Sequence, residues 1–291
     1  MNPLAIIVHG GAWDVSPELK EQCRLGVERA VDRGWSVLKD GGTALAACEQ
    51  AIIQLEEEPV FDAGIGSHLN RDGKAQLDAI LMDGATLKSG AVACVERIRN
   101  PIQVARAVLE KSDHLLITGY GAEQFAIEQG FALCDPSIFL IPAEVKRWSE
   151  RSEKTGQLGT VGAVALDANG NLAAGTSTGG TFFKYPGRVG DSPIVGAGCY
   201  ADNEGAAISS TGHGESVMKI VMAKLVNDLV AQGRSPQEAA DAAIAVLRRR
   251  TAGRAGLIVL DRKGRVGAAF TTNNLVRACR TSGDAAAVVT V

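Results

Sequence analysis

The sequence predicts an α+β protein in which antiparallel sheets are covered by layers of helices. Three observations carry this. Segments 160–178 and 256–272 read as β-hairpins, each two runs of β-forming residues around a short turn. Long helical patterns lie before and between them. The second half also lacks the strict strand–helix alternation of a parallel sheet.

Taken in order, Leu4 to Val8 is a β-branched run that Gly10-Gly11 should stop. A helix is expected from about Pro17 to Leu38, with apolar residues at Leu25, Val27, Ala30, Val31 and Val37. Gly41-Gly42 break it, and Thr43 can cap a second helix through about Leu55. Residues 59–84 are rich in Gly and Asp, too polar in places for a strand core and too long for an ordinary loop. Gly90 to Val95 reads as a strand, and Pro101 opens a helix at its first turn. The charged run from Pro142 to Gly159 shows little apolar periodicity and reads as a frayed helix or a linker. The first hairpin follows, turning at Ala168-Asn169-Gly170. Helices from about Glu215 to Gln232 and Pro236 to Arg249 precede the second, which turns at Arg262-Lys263-Gly264.

Composition narrows the function classes. The 291 residues, 46% hydrophobic and 22% charged, suit one large domain or two modest ones. A net charge of −3 with no long basic block argues against nucleic acid as a partner. Arg248-Arg249-Arg250 ends a helical pattern and reads as a solvated terminus. No apolar run reaches the roughly 20 residues that cross a bilayer. The start lacks the pattern of a secretory signal, and six scattered cysteines have no paired spacing. Reduced thiols in a cytoplasmic protein are the expectation. The four histidines form no zinc-like spacing. The 34 glycines, about 12% of the chain against an average near 7%, imply much backbone in tight turns.

Three chemistries can be weighed on residues alone. A dinucleotide site at Gly119-Tyr120-Gly121 lacks its third glycine, since Gln124 stands there. Gly175-Thr176-Ser177-Thr178-Gly179 matches the G-x-S-x-G of serine hydrolases, but Gly179 to Gly187 cannot start the helix that a nucleophile elbow needs. The third rests on Gly159-Thr160, where a polar segment meets a strand. If that bond were cut, Thr160 would carry both a hydroxyl and an α-amine whose ordinary pKa is about 7.7–8.0. One residue would then supply nucleophile and base. The plainer alternative is that Gly-Thr simply begins a strand.

A wider pattern weighs on that choice. Gly159 to Asp167 resembles the start of the β-subunit in plant-type L-asparaginases/isoaspartyl peptidases, which are N-terminal nucleophile (Ntn) hydrolases. Thr176 to Gly180, Pro186 to Pro193, Gly196 to Ala201 and Thr211 to Glu215 follow in the family's order and spacing. In the first half, His9 to Ala12, Phe61 to Gly66 and Leu77 to Gly84 also match. The similarity spans nearly the whole chain.

This resemblance implies a single Ntn-hydrolase domain over residues 1–291, a four-layer αββα sandwich. Self-cleavage would give an α-subunit of residues 1–159, with a linker from about 143, and a β-subunit of residues 160–291. The implied activity is hydrolysis of β-aspartyl amides, in isoaspartyl dipeptides and L-asparagine, through a covalent aspartyl ester. By the same likeness Thr160 is the nucleophile, Thr178 its hydroxyl partner, and Thr211 with the Gly212 amide the oxyanion hole. Arg188 and Asp191 would hold the substrate's α-carboxylate and α-ammonium, with the Gly214 carbonyl assisting. His213 would be a neighbour without a role. The backbone carbonyls of Leu55, Glu56, Glu58, Phe61, Ala63 and Ile65 would hold a sodium ion, with no organic cofactor, and the assembly would be a dimer of αβ heterodimers.

Three features depart from the family pattern. Asp62 stands where Asn is usual, Thr251 to Gly256 is less glycine-rich and brings Arg254 near the pocket, and the linker is short. Two rivals remain. One is a glycosylasparaginase, which would have Asp before the nucleophile; the other is a binding protein on this scaffold that never cleaves itself.

Overall fold

A computed structural model describes residues 2–150 and 159–291. Its strands are β1 (Ala5–Trp13), β2 (Leu77–Asp83), β3 (Ser89–Val95), β4 (Leu116–Thr118), β5 (Val161–Leu166), β6 (Leu172–Thr178), β7 (Cys199–Ala201), β8 (Ala206–Gly212), β9 (Ala255–Asp261), β10 (Val266–Phe270), β11 (Asn274–Thr281) and β12 (Val288–Thr290). Its helices are α1 (Lys20–Lys39), α2 (Ala44–Glu56), α3 (Pro101–Lys111), α4 (Gly119–Glu128), α5 (Pro142–Ser149), α6 (Gly214–Ile220), α7 (Met222–Ala231) and α8 (Pro236–Arg250). One sheet has the order β12-β11-β1-β5-β6-β2-β3-β4, antiparallel except for β3 with β4. The other is antiparallel, in the order β10-β9-β8-β7.

The period-2 pattern sorts side chains into separate apolar clusters. In β1, Ile6 and Val8 join Val27 and Val31 of α1, Ile52 of α2 and Ile102 of α3. The intervening Ile7 joins Val164, Leu172, Ile258 and Leu260 in a cluster drawn from both sheets. On the far face of β9, Leu257 and Val259 pack with Met222, Val226 and Leu247 of α7 and α8. The caps behave as their chemistry requires: Thr43 Oγ1 accepts from Ala46 N at 3.2 Å, and Ser235 and Glu238 form a reciprocal capping box on α8.

Four expectations change. The glycine pair does not end β1, which runs on to Trp13 through a register shift between His9 and Ala12. The polar 59–84 region contains β2, buried along nearly its whole length because β3 and β6 flank it on both sides. The helix expected from Glu215 to Gln232 breaks at Val221, which is left-handed at φ 49°. That break turns the start of α7 so that Lys224 N donates to Gly196 O at 2.8 Å. Finally, Pro142–Ser149 is a helix bound to the body of the protein, since Trp148 Nε1 donates to Asn70 O at 2.9 Å. Residues 151–158 of the expected linker lie outside the described residues.

Candidate active site

Sheet register assembles the centre. In β5 and β6, Val161 pairs with Ser177, which sets Thr160 beside Thr178; in β2, Asp78 pairs with Thr178 from the other side. Thr160 and Thr178 are both buried. Thr160 Oγ1 lies 2.6 Å from the Gly159 carbonyl oxygen and 3.2 Å from Thr178 Oγ1, and Thr178 Oγ1 lies 3.0 Å from the same carbonyl. Gly180 N donates to Thr178 Oγ1 at 2.9 Å. Each hydroxyl has one proton, so the three oxygens support a relay: Thr160 donates to Thr178 while Thr178 donates to the carbonyl. Ser192 Oγ stands 3.5 Å from Thr160 Oγ1.

Thr160, Thr178, Arg188, Asp191, Ser192 and Gly212 line one small pocket together with Gly159. Gly212 ends β8 at φ +133°, where a Cβ would sit 2.5 Å from both Ala255 Cα and Arg254 O, so only glycine fits there. Thr211 is fully buried and its Oγ1 has no hydrogen-bond partner, an unspent donor next to that turn. A Cβ on Gly214 would lie 2.8 Å from Arg188 Nη2 and 2.9 Å from Asp191 Oδ1, so the bare backbone lets both side chains converge. Burial pushes the Asp191 carboxyl up to about 7, and its Oδ2 is unpartnered. Arg188 makes its fork with Glu215, Nε to Oε1 at 3.0 Å and Nη2 to Oε2 at 2.9 Å, rather than with Asp191. His213 turns its ring to Ser216 and Glu215.

The other side of Gly159 is acidic. A Cβ on Gly159 would overlap the Asp62 side chain. Asp62 Oδ1 accepts from His68 N at 2.8 Å, while its buried Oδ2 accepts no hydrogen bond and lies 3.9 Å from His68 Nε2. Burial raises its carboxyl to about 6. His68 Nδ1 meets Glu144 of α5 at 3.0 Å, and Arg147 lies over the Phe182 ring. Arg254 is turned outward into a pair with Asp14, at 2.7 Å. Ser177, centre of the esterase-like motif, faces away from the pocket and donates to Glu56 at 2.7 Å.

In the 55–65 loop the carbonyls of Glu58, Phe61 and Ala63 each accept one backbone N–H, leaving each oxygen a second lone pair, while that of Leu55 faces the N–H groups of Glu57 and Glu58. Such neutral oxygens suit a hard cation. Among the described residues, no cluster of three or more His, Cys, Asp or Glu is placed to hold a metal ion.

The asparaginase family model matches residues 1–290. The chain belongs to the asparaginase family. Among its relatives, the isoaspartyl peptidase/L-asparaginase of Xenopus laevis is 46% identical over 94% of this chain and 91% of that protein. The Homo sapiens protein of the same name is 43% identical over 97% and 94%. The isoaspartyl peptidase of Salmonella typhimurium is 41% identical over 98% and 97%.

In this asparaginase-family chain, several neighbours of the pocket carry no role in the sequence reading. Glu215 sits in the quoted Thr211-to-Glu215 motif, and its charge opposite Arg188 was the available signal. Asp78 and Lys184 are both buried; Lys184 Nζ donates to Gln76 O at 2.7 Å, and its ammonium partly offsets the burial that raises the Asp78 carboxyl. His9 is buried between the sheets, its Nε2 2.8 Å from Ser209 Oγ, and burial drives its pKa down to about 3, so the ring is neutral. The six thiols are all free. No helix among the described residues is long and apolar enough to cross a membrane.

Proposed function

We propose that this chain is a self-maturing hydrolase of β-aspartyl amide bonds, acting on isoaspartyl dipeptides and L-asparagine. The observation that carries the reading is the triangle of Thr160 Oγ1, Thr178 Oγ1 and the Gly159 carbonyl oxygen. In maturation Thr160 Oγ1 attacks the Gly159 carbonyl carbon. The C–N bond breaks, an ester forms on Oγ1, and water then splits the ester into a Gly159 carboxylate and a free Thr160.

The α-amine so exposed takes the Oγ1 proton when the hydroxyl attacks a substrate's β-amide. The oxyanion is held by Thr211 Oγ1–H and Gly212 N–H, donors of a kind each worth about 10²–10³ in rate. Arg188 binds the α-carboxylate, while Asp191 and the Gly214 carbonyl take the α-ammonium. The amine product leaves with the proton from Thr160, and water releases aspartate from the ester. The free edge of the Arg188 guanidinium, opposite the one held by Glu215, is the one open to substrate.

The clusters of helix–sheet, sheet–sheet and sheet–helix contacts support a four-layer αββα sandwich, one domain delivered as residues 1–159 and 160–291. Sodium on the backbone oxygens of Leu55, Glu56, Glu58, Phe61, Ala63 and Ile65 would stiffen the loop that carries Asp62. A dimer of αβ heterodimers and a cytoplasmic location complete the reading.

Denaturing electrophoresis of purified protein tests it. Wild type should give bands of roughly 16 and 14 kDa in place of one 30.3 kDa chain. Thr160→Ala should stay whole and inactive. A single wild-type band without β-aspartyl hydrolysis would favour the non-cleaving binding scaffold.

A further inference from the structure

Two cavities share one wall, and that wall is Gly159. The pocket holding Thr160, Arg188 and Asp191 has a volume of about 10 Å³, roughly the least that admits a single water molecule. Behind Gly159 opens a cavity of about 570 Å³, within the usual size of small-ligand sites. Trp13, Leu25, Val60 and Ile141 give it an apolar wall, and Arg29, Glu58, His68, Glu144 and Arg147 line the rest. At the partition stands Asp62, whose Oδ2 is buried and accepts no hydrogen bond.

We propose that self-cleavage joins these cavities and makes the larger one the leaving-group subsite, selecting isoaspartyl peptides whose residue after the β-aspartyl unit is large and apolar. This rests on the reading of Thr160 as nucleophile. Scission unties Gly159 from Thr160 and places its new carboxylate against the Asp62 carboxylate, where like charges repel. The partition is thereby driven aside. A substrate β-carbonyl at Thr160 Oγ1 then has its amide nitrogen on the side Gly159 occupied. The single N–H of that secondary amide meets the Asp62 oxygen that accepts no hydrogen bond in the uncleaved chain, and the side chain beyond it lies against the apolar wall. When the C–N bond breaks, the amine takes the proton held by the Thr160 α-amine and departs through this cavity. L-asparagine releases only ammonia and uses none of the wall.

The test compares kcat/KM for β-aspartyl-leucine, β-aspartyl-glycine and L-asparagine, using matured wild type, Leu25→Trp, which fills the cavity, and Ile141→Asp, which charges its wall. Burying a leucine side chain should favour the leucyl over the glycyl peptide by about ten-fold or more in wild type. In either variant that ratio should fall towards one, while L-asparagine turnover stays within about two-fold. Appearance of both bands and the asparaginase rate report that each variant folded; if one fails to mature, the other decides. An unchanged ratio in a matured variant, or equal losses on all three substrates, overturns the subsite while leaving the Thr160 reading intact. Absence of hydrolysis of every β-aspartyl substrate by wild type overturns both.

Discussion

Replacing Thr178 by Val removes one hydroxyl and keeps the shape of the side chain. That oxygen has three neighbours: it accepts from Gly180 N at 2.9 Å, faces Thr160 Oγ1 at 3.2 Å, and reaches the Gly159 carbonyl oxygen at 3.0 Å. Its loss acts on rate and on stability separately. The carbonyl oxygen gains negative charge as Thr160 attacks, and losing one aligned donor to such an oxygen costs about 10²–10³ in rate, or roughly 3–4 kcal/mol. The buried Gly180 N–H loses its acceptor, at a cost of about 1–3 kcal/mol. For a chain of this size that corresponds to a fall in Tm of roughly 2–12 °C.

The assay follows the uncleaved fraction on denaturing gels over time after rapid purification, with Thr178→Ser as the companion that restores the hydroxyl. Thr178→Val should mature about 10²–10³ times more slowly than wild type, and Thr178→Ser close to wild type. Maturation of the Val variant at the wild-type rate would refute the relay. So would a Ser variant as slow as Val, because the hydroxyl would then not be the group that matters.

The remaining predictions concern charge, strain and ion binding. Asp191 must be ionised to take a substrate ammonium, and burial raises its carboxyl to about 7. Inhibition by L-aspartate should therefore weaken as pH falls through about 7, and Asp191→Asn should be weak at all pH values; Ki measured from pH 5.5 to 8.5 checks this. Val221 holds φ 49° with its side chain exposed, a conformation costing an L-residue about 1–2 kcal/mol, so Val221→Gly should raise Tm or leave it unchanged. A clear drop would mean the side chain contributes more by packing than it costs in strain. If the 55–65 loop holds sodium, exchanging it for tetramethylammonium should lower Tm by an amount that follows the logarithm of sodium concentration. A Tm indifferent to sodium would remove the ion from the account.

Local patterns in the sequence determined much of the framework. The Asn169-Gly170 turn and the apolar runs on either side of it give β5 and β6 and set Thr160 opposite Thr178. Thr43 and the Ser235/Glu238 box start helices because short polar side chains satisfy the first free N–H groups. The motifs around Arg188, Asp191 and Thr211 announced a site, and the structure gathers Arg188, Asp191 and Gly212 around Thr160. What the sequence left open depends on partners far along the chain. A polar stretch became the interior strand β2 because β3 and β6 cover its two edges, and Val221 broke a helix because α7 had to reach Gly196. Glu215 claims one edge of Arg188, and Asp62 presses on Gly159, only because segments distant in sequence meet there. Burial of Asp62 and Asp191, and the cavity behind Gly159, arise from the packing of whole elements. Local pattern records the conformational preference of each segment. Desolvation and enclosed space exist only once the segments are assembled.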